Sequence, residues 1–163
     1  MNYLNVRAEI KAQLLAAGIP IVFPYRRYAA DWATFLNLFK DPATSRINVA
    51  WFSRMANDES VAGGDASTDA AGDILVTATN EAWDIELIYG FHDAEETDGP
   101  SETAFQLQVQ AVEDQFRFLQ DLGGKVFQNL PVKLLSADLR QFGDVLCHRA
   151  LFRLIIEQRI LEP

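Results

Sequence analysis

The stretch CHRALFRLIIEQRI, residues 147–160, decides the fold class. Leu146, His148, Ala150, Phe152, Leu154, Ile156 and Ile160 share one parity, and Arg149, Arg153, Glu157 and Arg159 share the other. Successive side chains on a strand point to opposite faces, so this is a long strand with a core face and a charged face. The same alternation separates Cys147 from His148. Neighbours on a strand diverge, which makes them a small packing residue and a hydrogen-bonded histidine rather than a catalytic pair.

Working outward, Val132 and Leu134 belong to a preceding strand, with residues 141–144 as the turn. Trp83, Ile85, Leu87, Tyr89 and Phe91 alternate with Asp84, Glu86, Ile88 and Gly90. Together with Ile74, Leu75 and Val76 they form either one long bent strand or a hairpin turning near Asn80 and Glu81. Ile47, Val49 and Trp51 alternate with Asn48, Ala50 and Phe52, a strand over residues 46–55 with at least one buried face. Ile21, Val22 and Phe23 read as a short strand.

Helical spacing occupies the intervals. Tyr3, Val6, Ile10, Leu14 and Ala17 recur every three or four residues, and Gly18 and Pro20 stop that helix. Tyr28, Trp32, Phe35, Leu36 and Phe39 follow the same period up to Asp41 and Pro42. Phe105, Val109, Val112, Phe116 and Leu119 form the clearest stripe, opened by Pro100 and closed by Gly123 and Gly124. Helix, strand, aromatic segment, strands, helix and two strands in a row predict an α+β fold. One mainly antiparallel sheet with helices packed on one face buries both helical stripes. Residues 1–163 make a single domain. Residues 56–73, small and acidic with only Val61 as a sizeable apolar group, are expected to form a long flexible acidic loop.

Of 163 residues, 49% are hydrophobic and 23% charged, the proportions of a globular chain. Cys147 alone forms no intrachain disulfide, and with His92 and His148 it is too few for a structural zinc site, so a reducing compartment fits. Arg7, Glu9 and Lys11 break the apolar residues at the N-terminus, so neither signal peptide nor membrane span is expected. A net charge of -9 argues against nonspecific nucleic-acid binding. No Lys or Arg occurs between Arg54 and Arg117, and 13 acids from Asp58 to Glu102 lie in that span; outside those 13, 10 acids face 14 bases, a net of +4. Such asymmetry suits self-association or an oriented partner surface.

Tests for chemistry return no catalytic residue, no cofactor and no metal. There is no GxSxG elbow. Gly123-Gly124-Lys125 is a helix stop, because Leu119 and Val126 stand where a phosphate loop needs Gly and Ser or Thr. Asp93, Glu95, Glu96 and Asp98 miss the calcium-loop pattern at Asp98, where glycine is required. Asp84 and Glu86 share a strand face and read as its polar side.

In layout nearly the whole chain resembles the tail-terminator or tail-completion proteins of long-tailed bacteriophages. The resemblance rests on the opening helix ending at Gly18, RINVAWFSRM (residues 46–55), the flexible loop, EAWDIELIYGF (residues 81–91), the long helix after Pro100 and CHRALFRLIIEQRI. It implies a ring, commonly a hexamer, that sits on the last ring of tail-tube subunits, stops polymerisation and presents a surface to the head-completion or connector protein. It also implies a place in the virion tail or neck, with assembly in the host cytoplasm and DNA only as passing cargo. A head-to-tail ring needs two different patches, and the acidic Asp93, Glu95 and Glu96 against Arg26, Arg27, Arg54, Arg149 or Arg153 are the candidates for the subunit interface. Six copies would carry a formal charge of about -54, which would keep DNA from adhering to a channel wall. A head-completion or neck adaptor is the nearest alternative. From another class, the alternative is a small-molecule-binding protein or enzyme with an aromatic pocket of Trp32, Phe35, Trp51 and Trp83.

Overall fold

The computed structural model describes residues 3–27, 32–55, 76–91, 100–117, 121–126, 128–142 and 145–161. The expected loop 56–73 and the acidic connector 92–99 lie outside them. α1 (Tyr3–Ala16) buries Val6, Ile10 and Leu14, the stripe its periodicity predicts. Gly18 ends it at φ 87°, and the amides of Gly18 and Ile19 reach back to the carbonyls of Leu15 and Leu14. That left-handed turn, which a Cβ would strain, drops Ile19 into the core.

β1 (Ile21–Phe23), α2 (Trp32–Phe39) and β2 (Asn48–Arg54) follow. β1 and β2 pair in parallel, Ile21 opposite Val49 and Phe23 opposite Trp51. Parallel neighbours require a crossover, and α2 supplies it. β3 (Val76–Gly90) is one continuous strand, so of the two readings of this region the hairpin at Asn80 is excluded. α3 (Pro100–Arg117) starts at the proline and buries Phe105, Val109, Val112 and Phe116. β4 (Gln128–Asn129), β5 (Lys133–Phe142) and β6 (Val145–Leu161) complete the chain.

The strands form one mixed sheet in the order β1-β2-β3-β6, antiparallel except for the first pair. β3 runs along β6 from Gly90 opposite Cys147 to Val76 opposite Leu161, so β4 and β5 share the other side of β6. They are one outer edge, broken where Pro131 has no N–H to donate and bulged between Leu134 and Ser136. The class is α+β.

Two cores lie on opposite faces. On the first, α1 and α3 cover Ala50, Phe52, Trp83, Ile85, Leu87, Ala150, Phe152, Leu154 and Ile156. On the second, Phe39 of α2 packs with Ile47, Val49, Trp51, Ile88 and Cys147, and Leu36 and Leu38 close over it. Two helices thus share a face, as expected, while the third takes the other, because a crossover between adjacent parallel strands must run over one face and α1 and α3 already fill the first. Both parities of β2 are consequently buried. Among the described residues no helix is long and apolar enough to cross a membrane.

Candidate functional site

Beyond the second core, the same face of the sheet carries a charged layer. Asp84 stands opposite Arg153 on the neighbouring strand, and the Arg153 guanidinium donates to both carboxylate oxygens at 2.8 and 3.3 Å. Glu86, 6% exposed, is opposite Trp51 and accepts its indole Nε1–H at 2.7 Å. Arg149, 7% exposed, donates to the other Glu86 oxygen, and Arg26 adds a bond at 3.0 Å. Arg149 also reaches Asp138 of β5 at 3.3 Å. Burial by itself pushes the Glu86 carboxyl up, but the hydrogen bonds from Arg149 and Trp51 and the charges of Arg149 and Arg26 outweigh it and hold it below the ordinary carboxylate value.

This layer takes up three of the residues expected at a subunit interface, Arg26, Arg149 and Arg153, while Arg54 pairs on the first face. Arg26 and Arg149 are engaged by Glu86, Arg153 by Asp84, and Arg54 by Glu81 at 3.2 Å. Arg27 lies over the rings of Phe23 and Tyr25 at 5.0 and 4.8 Å. Asp93, Glu95 and Glu96 fall outside the described residues. The acidic middle and basic remainder of the sequence therefore meet, in part, inside one chain. Asp84 and Glu86 do share a strand face, and each is committed to an arginine.

On the first face, at the opposite end of the sheet from the C-terminus of α3, three polar side chains converge. His148 is 3% exposed on β6 and faces the first turn of α3, where Ser101 is 5% exposed. Ser101 Oγ lies 3.1 Å from His148 Nε2, and Glu102 Oε2 lies 3.0 Å from Nδ1. A carboxylate only accepts, so Nδ1 carries the proton donated to Glu102, and in the neutral ring Nε2 is the acceptor for the serine hydroxyl. The imidazole stacks on Phe105, centroids 5.0 Å apart, and packs against Phe91 at 5.3 Å. Burial pushes its pKa below the ordinary 6.5, and the Glu102 charge pulls it part of the way back. The ring is a neutral base at physiological pH.

Ser101 opens onto a cavity of about 320 Å³ lined also by Leu36, Lys40, Ser45, Arg46, Ile47, Tyr89, Gly90, Phe91 and Val145. The turn that presents Ser45 and Arg46 is pinned by Asp41, whose carboxylate accepts from the amides of Ala43 and Thr44 and from the Thr44 hydroxyl. The Thr44 hydroxyl, then the Ala43 amide, hold the Asp41 pKa low. Ser45 adopts φ 59°, a left-handed conformation disfavoured for a residue with a Cβ.

Sequence reasoning separated Cys147 from His148 correctly: Cys147 lies in the second core, with burial raising its thiol to about 11, and His148 faces α3. It missed the partners of His148, because Ser101 and Glu102 lie some 47 residues away and only the packing of α3 on the sheet brings them together. The aromatic pocket does not form as expected: Trp83 is fully buried in the first core and Trp51 in the second, on opposite faces of the sheet. The side chains of Trp32 and Phe35 lie outside the described residues. Among the described residues no group of three His, Cys, Asp or Glu could hold a metal. No family model and no curated protein sequence matches the chain.

Proposed function

We propose that the chain is the subunit of a homo-oligomeric ring, a hexamer, that caps a phage tail tube and stops its polymerisation. The ring gives a surface to the head-completion or connector protein, lets DNA pass as cargo, and belongs to the tail or neck of the virion. The observation that carries this reading is the outer edge of the sheet. β5 runs for 10 residues with β6 on one side and, among the described residues, no strand on the other. Leu135 and Leu139 on that edge, and Leu130 just before it, are 41%, 53% and 47% exposed. Long edges bearing apolar side chains associate unless something covers them, and in a head-to-tail ring a different surface of the next copy does so. The resemblance of the sequence layout to the tail-terminator proteins points to the same reading. Because Arg26, Arg54, Arg149 and Arg153 have partners within the chain, the charged part of the interface falls mainly to Arg27 and the acids Asp93, Glu95 and Glu96.

Light scattering over a concentration and salt series, alone and with short tail tubes, tests the reading. A ring that forms alone or on tube ends supports it; a monomer indifferent to tubes rejects it. Leu139→Lys is expected to weaken assembly while changing the monomer's stability by no more than about 0.5 kcal/mol. Neutralising Asp93, Glu95 and Glu96 is expected to weaken assembly at low salt, and unchanged assembly removes the charge contribution. Binding to the head connector but not to tube ends would make the protein a neck adaptor instead.

A further inference from the structure

We propose that Ser101, His148 and Glu102 form a serine acyl-transfer centre that opens into the cavity beside α2 and takes a small ester carrying an anionic group. This inference is independent of ring assembly. A nucleophilic serine needs a base on its hydroxyl and a third group that fixes the base's tautomer. Ser101 Oγ at 3.1 Å from Nε2 and Glu102 Oε2 at 3.0 Å from Nδ1 meet both conditions. The connectivity matters more than the proximity: the carboxylate sits on one ring nitrogen and the hydroxyl on the other. Phe105 and Phe91 against the imidazole keep the ring from turning and keep water from it.

The remaining requirements are met around the cavity. Its volume, about 320 Å³, suits a ligand of a few carbon atoms and their substituents. Tyr89, Phe91 and Leu36 offer apolar wall to the acyl chain, while Lys40 and Arg46 place two cations on the same lining. α3 opens at Pro100, so the amides of Ser101 and Glu102 in its first turn lack intrahelical acceptors and sit at the positive end of the helix. They are the donors for the oxyanion. Attack forms the Ser101 Oγ–acyl carbon bond as the hydroxyl proton passes to Nε2. The carbon–oxygen bond to the alcohol then breaks, and the alcohol leaves with that proton. Water repeats the sequence on the acyl-serine, returning the hydroxyl and releasing the acid.

Intact-mass spectrometry of the full chain treated with a fluorophosphonate reads the nucleophile without any variant. One adduct, mapped to Ser101, is expected; no adduct on folded protein, or one mapped elsewhere, overturns the proposal. Ser101→Ala, with an unchanged circular dichroism spectrum, is expected to abolish labelling. His148→Gln should slow it at least about 100-fold, the contribution of a general base. Labelling of His148→Gln at the wild-type rate overturns the proposal. With 4-nitrophenyl esters, a hemisuccinate is expected to turn over about tenfold faster than the acetate, a preference lost in Lys40→Ala/Arg46→Ala; hydrolysis equally fast in Ser101→Ala rejects the site. Glu102 acts as a positioning residue. Its carboxylate raises the His148 pKa, so Glu102→Gln should move the acid limb of the pH profile to lower pH, a shift that loss of packing alone would not give.

Discussion

Glu86 accepts from donors on three separate segments, Trp51, Arg26 and Arg149, and its own oxygens are almost wholly out of water. Removing it leaves the Arg149 charge buried with Asp138 as its remaining partner. Glu86→Ala is therefore expected to cost about 3 kcal/mol or more in urea denaturation, and Glu86→Leu combined with Arg149→Met to recover most of it. Acid should act in two stages. The His148 pKa is lowered by folding, so as pH falls below the ordinary 6.5 the unfolded chain binds the proton first, and stability declines until the folded value is passed. The Glu86 carboxyl is also lowered, so its contribution is complete above the ordinary 4.5 and disappears as pH falls through the folded value. Unfolding midpoints followed from about pH 8 to about pH 3 should show both stages, with His148→Gln removing only the upper one. Neither residue's importance is visible in the sequence. Glu86 read as part of a polar strand face and His148 as a satisfied histidine, because the Glu86 partners Trp51 and Arg149 are assigned by cross-strand register and the His148 partners by the packing of α3 on the sheet.

At the scale of the element, the periodicities translate directly into structure. The stripe Val6, Ile10, Leu14 is buried, as is Phe105, Val109, Val112, Phe116, and the alternation of residues 146–156 becomes β6. The stop at Gly18 is physical: at φ 87° a Cβ is strained even though open space surrounds it. Gly18→Ala should cost about 1 kcal/mol through backbone strain alone, read as a lower thermal midpoint with an unchanged helix signal. The ambiguity over residues 74–91 was of a different kind. Asn80 and Glu81 carry turn chemistry, but the cross-strand partners Glu157 and Ile156 on β6 hold them extended, and tertiary pairing overrides local preference. α2 shows the same limit. Its helical spacing was legible, but the face it covers follows from the parallel pairing of β1 with β2.

Across the whole molecule, β6 is the strand on which everything else is assembled, flanked by β3 on one side and β4 and β5 on the other. Amide exchange should therefore be slowest in residues 83–88 and 148–154, at the centre of the sheet beneath α1 and α3. It should be fastest in β1 and β4, which are three and two residues long at the margins of the sheet. Rapid exchange in the centre of β6 would contradict this order.

The sequence by itself determined the helices and most of the strands, where α1 stops, and that the class is α+β, because periods of 2 and 3.6 are local consequences of how a strand or helix meets a core. Tertiary structure alone decided the rest: the side of the sheet taken by α2, the pairing of Arg26, Arg54, Arg149 and Arg153 within the chain, the open β5 edge, and the meeting of Ser101 and Glu102 with His148. Each of these depends on how segments far apart in the chain pair and pack: a one-residue slip of register would send Arg149, Arg153 and His148 to the opposite face, and the seating of α3 on the sheet is what brings Ser101 and Glu102 to His148.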